Sequence, residues 1–176
     1  MELWDLYDSQ GNRTGEIWER RHGMNNLIPE GRYHLVSDVL VRHKDGSYLL
    51  TQRHPDKDVY PGLWDASAGG SAQKGEEALE CAARELFEET GIRAEKFELI
   101  DITFRDQSHS YVHSYITEVD CDKESVILQK EEAVAYRWVD AKGLLDYAES
   151  DLAIKTKVQR YKKVYDKIRK EINEVL

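Results

Sequence analysis

Apolar positions along the chain follow two periods, and the points where the period changes mark out the expected elements. Leu3, Trp4 and Leu6 lie before a polar turn containing Gly11 and Asn12, and Ile17 and Trp18 lie after it, which predicts a β-hairpin. Residues 20–32, with Arg21, His22, Gly23, Asn25, Asn26, Pro29 and Gly31, read as a loop. The runs 33–43 and 48–53, joined around Asp45-Gly46, form the clearest hairpin and are expected at the sheet centre. Pro55, Pro61 and Gly62 punctuate the loop that follows, and residues 63–68 return to strand. Segments 97–104 and 111–119 read as a second strand pair, 123–129 as a shorter strand, and 133–140, with alternating Val134, Tyr136 and Trp138, as another.

Helical spacing takes over in three places. Residues 76–90 are rich in Ala, Leu and Glu, with Gly91 as a stop signal. Residues 141–148 read as a short helix. Ser150 or Asp151 can cap a long terminal helix striped by Ile154, Val158, Tyr161, Val164, Tyr165, Ile168 and Ile172, whose Lys and Arg are expected to make a solvated face. Strands with one helix midway and others at the end predict an α/β or α+β sandwich. The 176 residues fit one domain, with 1–32 and 150–176 as additions to its core.

Composition narrows the partners. Hydrophobic residues at 40% and charged residues at 34% describe a globular chain with a real core. A net charge of −9 argues against nucleic acid or an anionic membrane as partner. Any anionic ligand must then meet positive charge supplied locally. Two cysteines without paired spacing, and no signal peptide or long apolar run, predict a reduced, cytoplasmic protein. Cys81 falls near the acidic helix face, where a small buried residue is expected rather than a catalytic thiol. The N-terminal hairpin and the terminal helix both offer surface for a homodimer.

The chemistry concentrates on the central helix. At 100° per residue, Glu85, Glu88 and Glu89 fall within an arc of roughly 100°, beside an apolar stripe of Leu79, Ala82, Ala83 and Leu86. Such a cluster is either a solvated acidic face or a cation site. Arg84, next to Glu85, and the Gly69-Gly70 pair ahead of the helix, read as a loop that lets backbone approach a ligand, favour the cation. Hard oxygen donors suit Mg²⁺, or Mn²⁺ as a substitute, and no zinc-type Cys/His set is present.

Gly70, Glu76, Arg84-Glu85-Leu86, Glu88-Glu89, Gly91 and Ile92 together resemble a complete Nudix box. The resemblance implies a mixed β-sheet between helices and a Mg²⁺-dependent hydrolase of small-molecule diphosphates. It makes Glu85, Glu88 and Glu89 metal ligands, with the Gly69 carbonyl as an extra one. Arg84 would orient Glu85, while Gly70, Glu76 and Gly91 would be structural. A further carboxylate across the cleft is expected from Glu131 or Glu132. A second set, Tyr33-His34-Leu35, Gln52-Arg53, Lys57 and Pro61-Gly62-Leu63-Trp64, resembles isopentenyl-diphosphate isomerases and their Nudix relatives, which implies that Arg53 and Lys57 grip a diphosphate. Ala68 and Gly70 stand where that isomerase needs an acid–base Cys and a metal-binding His, so hydrolysis is the leading reading. An isomerase and a non-catalytic nucleotide sensor remain the alternatives.

Overall fold

The computed structural model describes residues 2–20 and 27–175, so the middle of the loop expected over 20–32 lies outside the described residues. The elements are β1 (Leu3–Tyr7), β2 (Arg13–Glu19), β3 (Tyr33–His43), β4 (Tyr48–Arg53), β5 (Trp64–Ala66), β6 (Ala68–Ser71), α1 (Ala78–Thr90), β7 (Glu98–Arg105), β8 (Ser110–Val119), β9 (Ala133–Val139), α2 (Ala141–Glu149), α3 (Lys155–Arg160) and α4 (Lys162–Val175).

β3 is the spine of a mixed sheet. Along one edge it pairs in parallel with β8 from His34 to His43. Its other edge is shared in turn by β1, β6 and the first residue of β4. The expected β3–β4 hairpin therefore pairs in register only at Arg42 and Tyr48 before the strands part, and β4 goes on to pair with β5 and β9. A strand covered on both faces reads as a continuous apolar run, and the two-residue period sorts its side chains between two layers. Leu35, Val39 and Val41 pack with Ala78, Cys81, Ala82 and Leu86 of α1. Leu40 packs the other way, with Leu144, Tyr161 and Tyr165 of the C-terminal segment. The sheet lies between α1 and the C-terminal helices, as the sandwich reading expects.

Several elements differ from the sequence reading. α1 begins at Ala78, not 76, because Glu80 accepts the backbone N–H of Glu77 at 2.9 Å and caps the helix there. Its buried stripe is Ala78, Cys81, Ala82 and Leu86, while Leu79 and Ala83 face solvent. Small residues on the inner face let the helix lie close to β3, where the Ser37 hydroxyl donates to the Ala78 carbonyl. Residues 123–129 make no strand. One 3-10 turn (Lys123–Ser125) leads into a segment whose Ile127 and Gln129 N–H groups donate to the Thr90 and Glu89 carbonyls, satisfying the end of α1. The terminal helix is two helices, because residues 150–154 form turns and a bridge to Trp64, and Tyr161 leaves helical geometry. That break lets Arg160 and Tyr161 both turn inward.

The N-terminal hairpin is seated on the body. Trp4 is buried with Leu6 and Ile28, and stacks on His34 at 4.1 Å. It also braces the segment before α1: Asp5 accepts the Gly75 N–H at 2.8 Å and Arg13 donates to the Glu76 carbonyl at 2.8 Å. No helix among the described residues is long and apolar enough to cross a membrane.

Leu86, fully buried between α1 and the sheet, tests this packing. Leu86→Ala should cost about 3 kcal/mol in a urea denaturation series, the usual result of opening a core cavity.

Candidate active site

The Gly69-Gly70 pair lies in strand β6, paired antiparallel with β3, and not in a loop. Glycine is required there by close approach on opposite faces. A Cβ on Gly70 would stand 2.5 Å from the Glu85 carboxyl group, and one on Gly69 would stand 2.7 Å from an Asp38 oxygen. Only a bare backbone lets α1 and β6 come together with a carboxylate between them. Gly91, at φ 73°, ends α1 in the left-handed conformation that its side-chain-free backbone allows.

Arg84 is the hub of the cluster. Its Nε and Nη2 donate to the two oxygens of Glu76 at 2.7 and 2.9 Å, and Nη1 donates to Glu85 at 2.7 Å and Glu88 at 3.0 Å. Nη2 also reaches the Ser71 carbonyl at 3.1 Å. Glu76 in turn accepts the Gln73 N–H at 2.9 Å, so the turn before α1 is tied to its middle. Burial opposes the ionised form of Glu76, but the bonds from Arg84 and Gln73 outweigh it and hold the carboxyl below its usual range.

Glu85 and Glu89 shift the other way. Burial, reinforced by Glu88 and Glu132, raises Glu85 despite Arg84. Burial and then the Glu85 charge push Glu89 well above the usual carboxylate range, against the pull of Lys157. Glu89 accepts the Gly69 N–H at 3.2 Å. A strand residue sends its N–H and C=O to the same edge, so the Gly69 carbonyl also faces away from β3 on the side of Glu89.

Across a polar cleft of about 360 Å³ stand Arg53, Lys57 and Glu132. Lys57 pairs with Glu132 at 2.6 Å. Arg53 donates to the Val59 carbonyl at 3.0 Å, and its Nη1 lies 3.6 Å from Asp65. The structure brings Glu132 to the cleft and leaves Glu131 exposed outside it. Among the described residues, no three Asp, Glu, His or Cys side chains converge as placed to hold an ion. Glu88 is turned to Arg84 and Glu132 to Lys57. The donor set nevertheless fits Mg²⁺: the oxygens are hard, and Glu85, Glu88, Glu89 and Glu132 line one cleft. Glu85, Glu88, Glu89 and the Gly69 carbonyl would hold it once Glu88 releases Arg84.

Cys81 and His34 are both buried. Cys81 is fully buried, and burial together with Glu85 and Glu76 pushes its thiol up to about 12, which removes it as a nucleophile. His34 is buried beside Trp4, bonds the His109 carbonyl at 2.9 Å, and is depressed to about 4 by burial. A larger groove of about 770 Å³ runs between β7, β8 and α4, away from the glutamates.

One network was missed in the sequence. Lys157 bridges Asp38 at 3.3 Å and Asp65 at 2.7 Å, and Arg160 donates to Asp38 at 2.5 Å. Lys157 and Arg160, read as part of a solvated face, are turned inward because the buried Asp38 and Asp65 must be neutralised. Asp38, interrupting the apolar run of β3, was the signal that could have found them.

The family model described as NUDIX domain matches residues 32–167. A protein of Listeria monocytogenes described as an uncharacterized Nudix hydrolase is 34% identical over 82% of this chain and 83% of its own length. An isopentenyl-diphosphate Delta-isomerase of Serratia proteamaculans is 28% identical over 82% of this chain and 80% of its own. The crystal structure of DR0079 from Deinococcus radiodurans has the same fold, with a TM-score of 0.68 at 21% identity over 86% of this chain and 91% of that one.

Two outcomes test the geometry. Gly70→Ala should drive the Glu85 carboxylate off β6 and weaken Mn²⁺ binding in a paramagnetic relaxation titration by about tenfold or more. For Glu89, the raised folded-state value means that in metal-free protein the unfolded chain ionises first, so its contribution to stability falls as pH rises above the unfolded carboxylate value. Glu89→Gln should therefore raise the melting temperature of metal-free protein at neutral pH, and the gain should disappear in acid.

Proposed function

The chain belongs to the Nudix family, and on that footing we propose that it is a Mg²⁺-dependent hydrolase of a diphosphate bond in a nucleoside diphosphate linked to another group, or in a similar small molecule. The observation that carries this reading is that Glu85, Glu88 and Glu89 line one cleft together with Arg53 and Lys57. The glutamates would hold Mg²⁺, or Mn²⁺ as a substitute, which would supply neutralisation of diphosphate charge and acidification of water. Arg53 and Lys57 bind the phosphate oxygens that approach from the opposite side. Lys57 must leave Glu132 to do so, which frees a carboxylate at the moment substrate arrives. Arg84 keeps Glu85 fixed while Glu88 turns, because Glu76 holds the guanidinium by two parallel bonds. The proton of the attacking water would go to one of the cleft carboxylates, Glu132 among them once Lys57 has left it.

The Serratia relative raises the isomerase reading. Against it, the position of the acid–base Cys is Ala68, 1% exposed in strand β6. The position of the metal-binding His is Gly70, where no side chain fits beside Glu85.

A panel of nucleoside diphosphate sugars, dinucleoside polyphosphates and oxidised nucleotides, assayed with Mg²⁺, tests the proposal. Glu88→Gln and Glu89→Gln should each lower turnover by about 10²-fold or more, with folding unchanged by circular dichroism. Lys57→Met should act mainly by raising KM. Tight nucleotide binding without turnover in the unaltered protein would favour a sensor instead.

A further inference from the structure

The N-terminal hairpin reaches the cleft with two side chains that neither the metal nor the diphosphate uses. Glu2 lies just before β1 and Arg20 just after β2, and both line the cleft together with Gln73, Arg84 and Glu85. They are held as a unit. The Glu2 carboxylate accepts the Trp4 indole N–H at 2.9 Å through one oxygen and Arg20 Nη1 at 2.7 Å through the other. The Arg20 backbone N–H donates to the Glu2 carbonyl at 2.9 Å, and the guanidinium carbon of Arg20 stands 5.8 Å from the centre of the buried Trp4 ring. Burial opposes the ionised form of Glu2, but the bonds from Trp4 and Arg20 outweigh it and hold the carboxyl below its usual range. The Lys74 N–H donates to the Leu3 carbonyl at 2.7 Å, which ties the start of β1 to the segment that carries Gln73.

The chemistry of these side chains selects their occupant. Among the described residues that line the cleft there is no aliphatic or aromatic side chain. An apolar chain would find no surface to bury against, and a nucleobase no ring to stack on. A further phosphate fits no better, because Glu2 cancels the charge of Arg20. What the set does offer is donors and acceptors side by side. Arg20 has N–H groups beyond the one on Glu2, the Glu2 oxygens keep lone pairs beyond the two bonds they accept, and the Gln73 carboxamide supplies both functions. Hydroxyl groups, which donate and accept at once, satisfy such a set. The Arg20 and Glu2 side chains are 45% and 32% exposed, so both can be reached from the cleft.

We propose that Glu2, Arg20 and Gln73 form a subsite for the hydroxyls of a sugar joined to the diphosphate. The assignment rests on the diphosphate reading of the cleft. It narrows the substrate class to sugar diphosphates, with any base lying outside the cleft, and gives Arg20 and Glu2 a part in specificity but none in bond cleavage. It also sets the chain apart from enzymes of isoprenoid diphosphates, whose substrate would lay an apolar chain among charged groups.

Ribose 5-phosphate and isopentenyl monophosphate carry the same anionic group and differ in what it is joined to. Neither has a diphosphate bond to cleave, so both can be titrated calorimetrically into the full chain with Mg²⁺ present. Ribose 5-phosphate should bind about tenfold tighter or more, the effect of one hydrogen bond to a charged group. Arg20→Met and Glu2→Gln should each reduce that preference while leaving the affinity for isopentenyl monophosphate unchanged, whereas Lys57→Met should weaken both ligands alike. Equal affinity for the two phosphates in the unaltered chain, or a preference that survives in a folded Arg20→Met protein, would overturn the sugar subsite and leave the diphosphate cleft standing. Failure of both phosphates to bind would remove the diphosphate reading and the subsite with it, so the two failures are told apart.

Discussion

One guanidinium sets the geometry on which the site depends. Glu85, Glu88 and Glu89 crowd a single helix face and repel one another, and Arg84 is the positive charge that holds Glu85 and Glu88 together, while Lys157 acts on Glu89. Arg84 is shared unequally. Two parallel bonds to Glu76 fix its plane, and a single nitrogen is left for both Glu85 and Glu88. An arrangement of that kind releases an outer carboxylate without losing the inner one, since the anchor stays bonded throughout.

The rest of the fold brings that guanidinium to the sheet. β3 is buried on both faces, so it fixes α1 on one side and the C-terminal helices on the other. β6 pairs with β3 as a strand of bare backbone, and its two glycines admit a carboxylate on each face. The N-terminal hairpin holds the approach to α1 through Asp5 and Arg13, which makes a segment that looks peripheral in sequence a support of the glutamate cluster. The buried Asp38–Lys157–Asp65 chain ties α3 to the back of the same strand.

Much of this was legible along the chain, because the features that carry it are local. The hairpin of β1 and β2, the long run of β3, the strands β7, β8 and β9, and the glutamate spacing of α1 each follow from a short stretch of sequence. What escaped depended on partners far away. Residues 123–129 carry apolar residues suited to a strand but instead cap the carbonyls at the end of α1. The terminal helix keeps its apolar periodicity across Tyr161, yet the chain leaves helical geometry there, which lets Arg160 and Tyr161 both turn inward. Glu131 and Glu132 are indistinguishable as neighbours in sequence, and only the position of Lys57 separates them. Lys157 and Arg160 resemble any surface cations until Asp38 and Asp65 are placed beneath them.

The proposed function requires that Arg84, anchored by Glu76, arrange the carboxylates for a divalent cation. Glu76 lies on the far side of Arg84 from Glu85 and Glu88 in this bonding scheme and is not itself among the expected ligands. Mn²⁺ affinity, measured by electron paramagnetic resonance in the unaltered protein and in Glu76→Gln, therefore tests the claim directly. Binding in Glu76→Gln should be weaker by about tenfold or more, in the range expected when a residue that orients a metal ligand is lost. Unchanged Mn²⁺ affinity in a folded Glu76→Gln protein would contradict it.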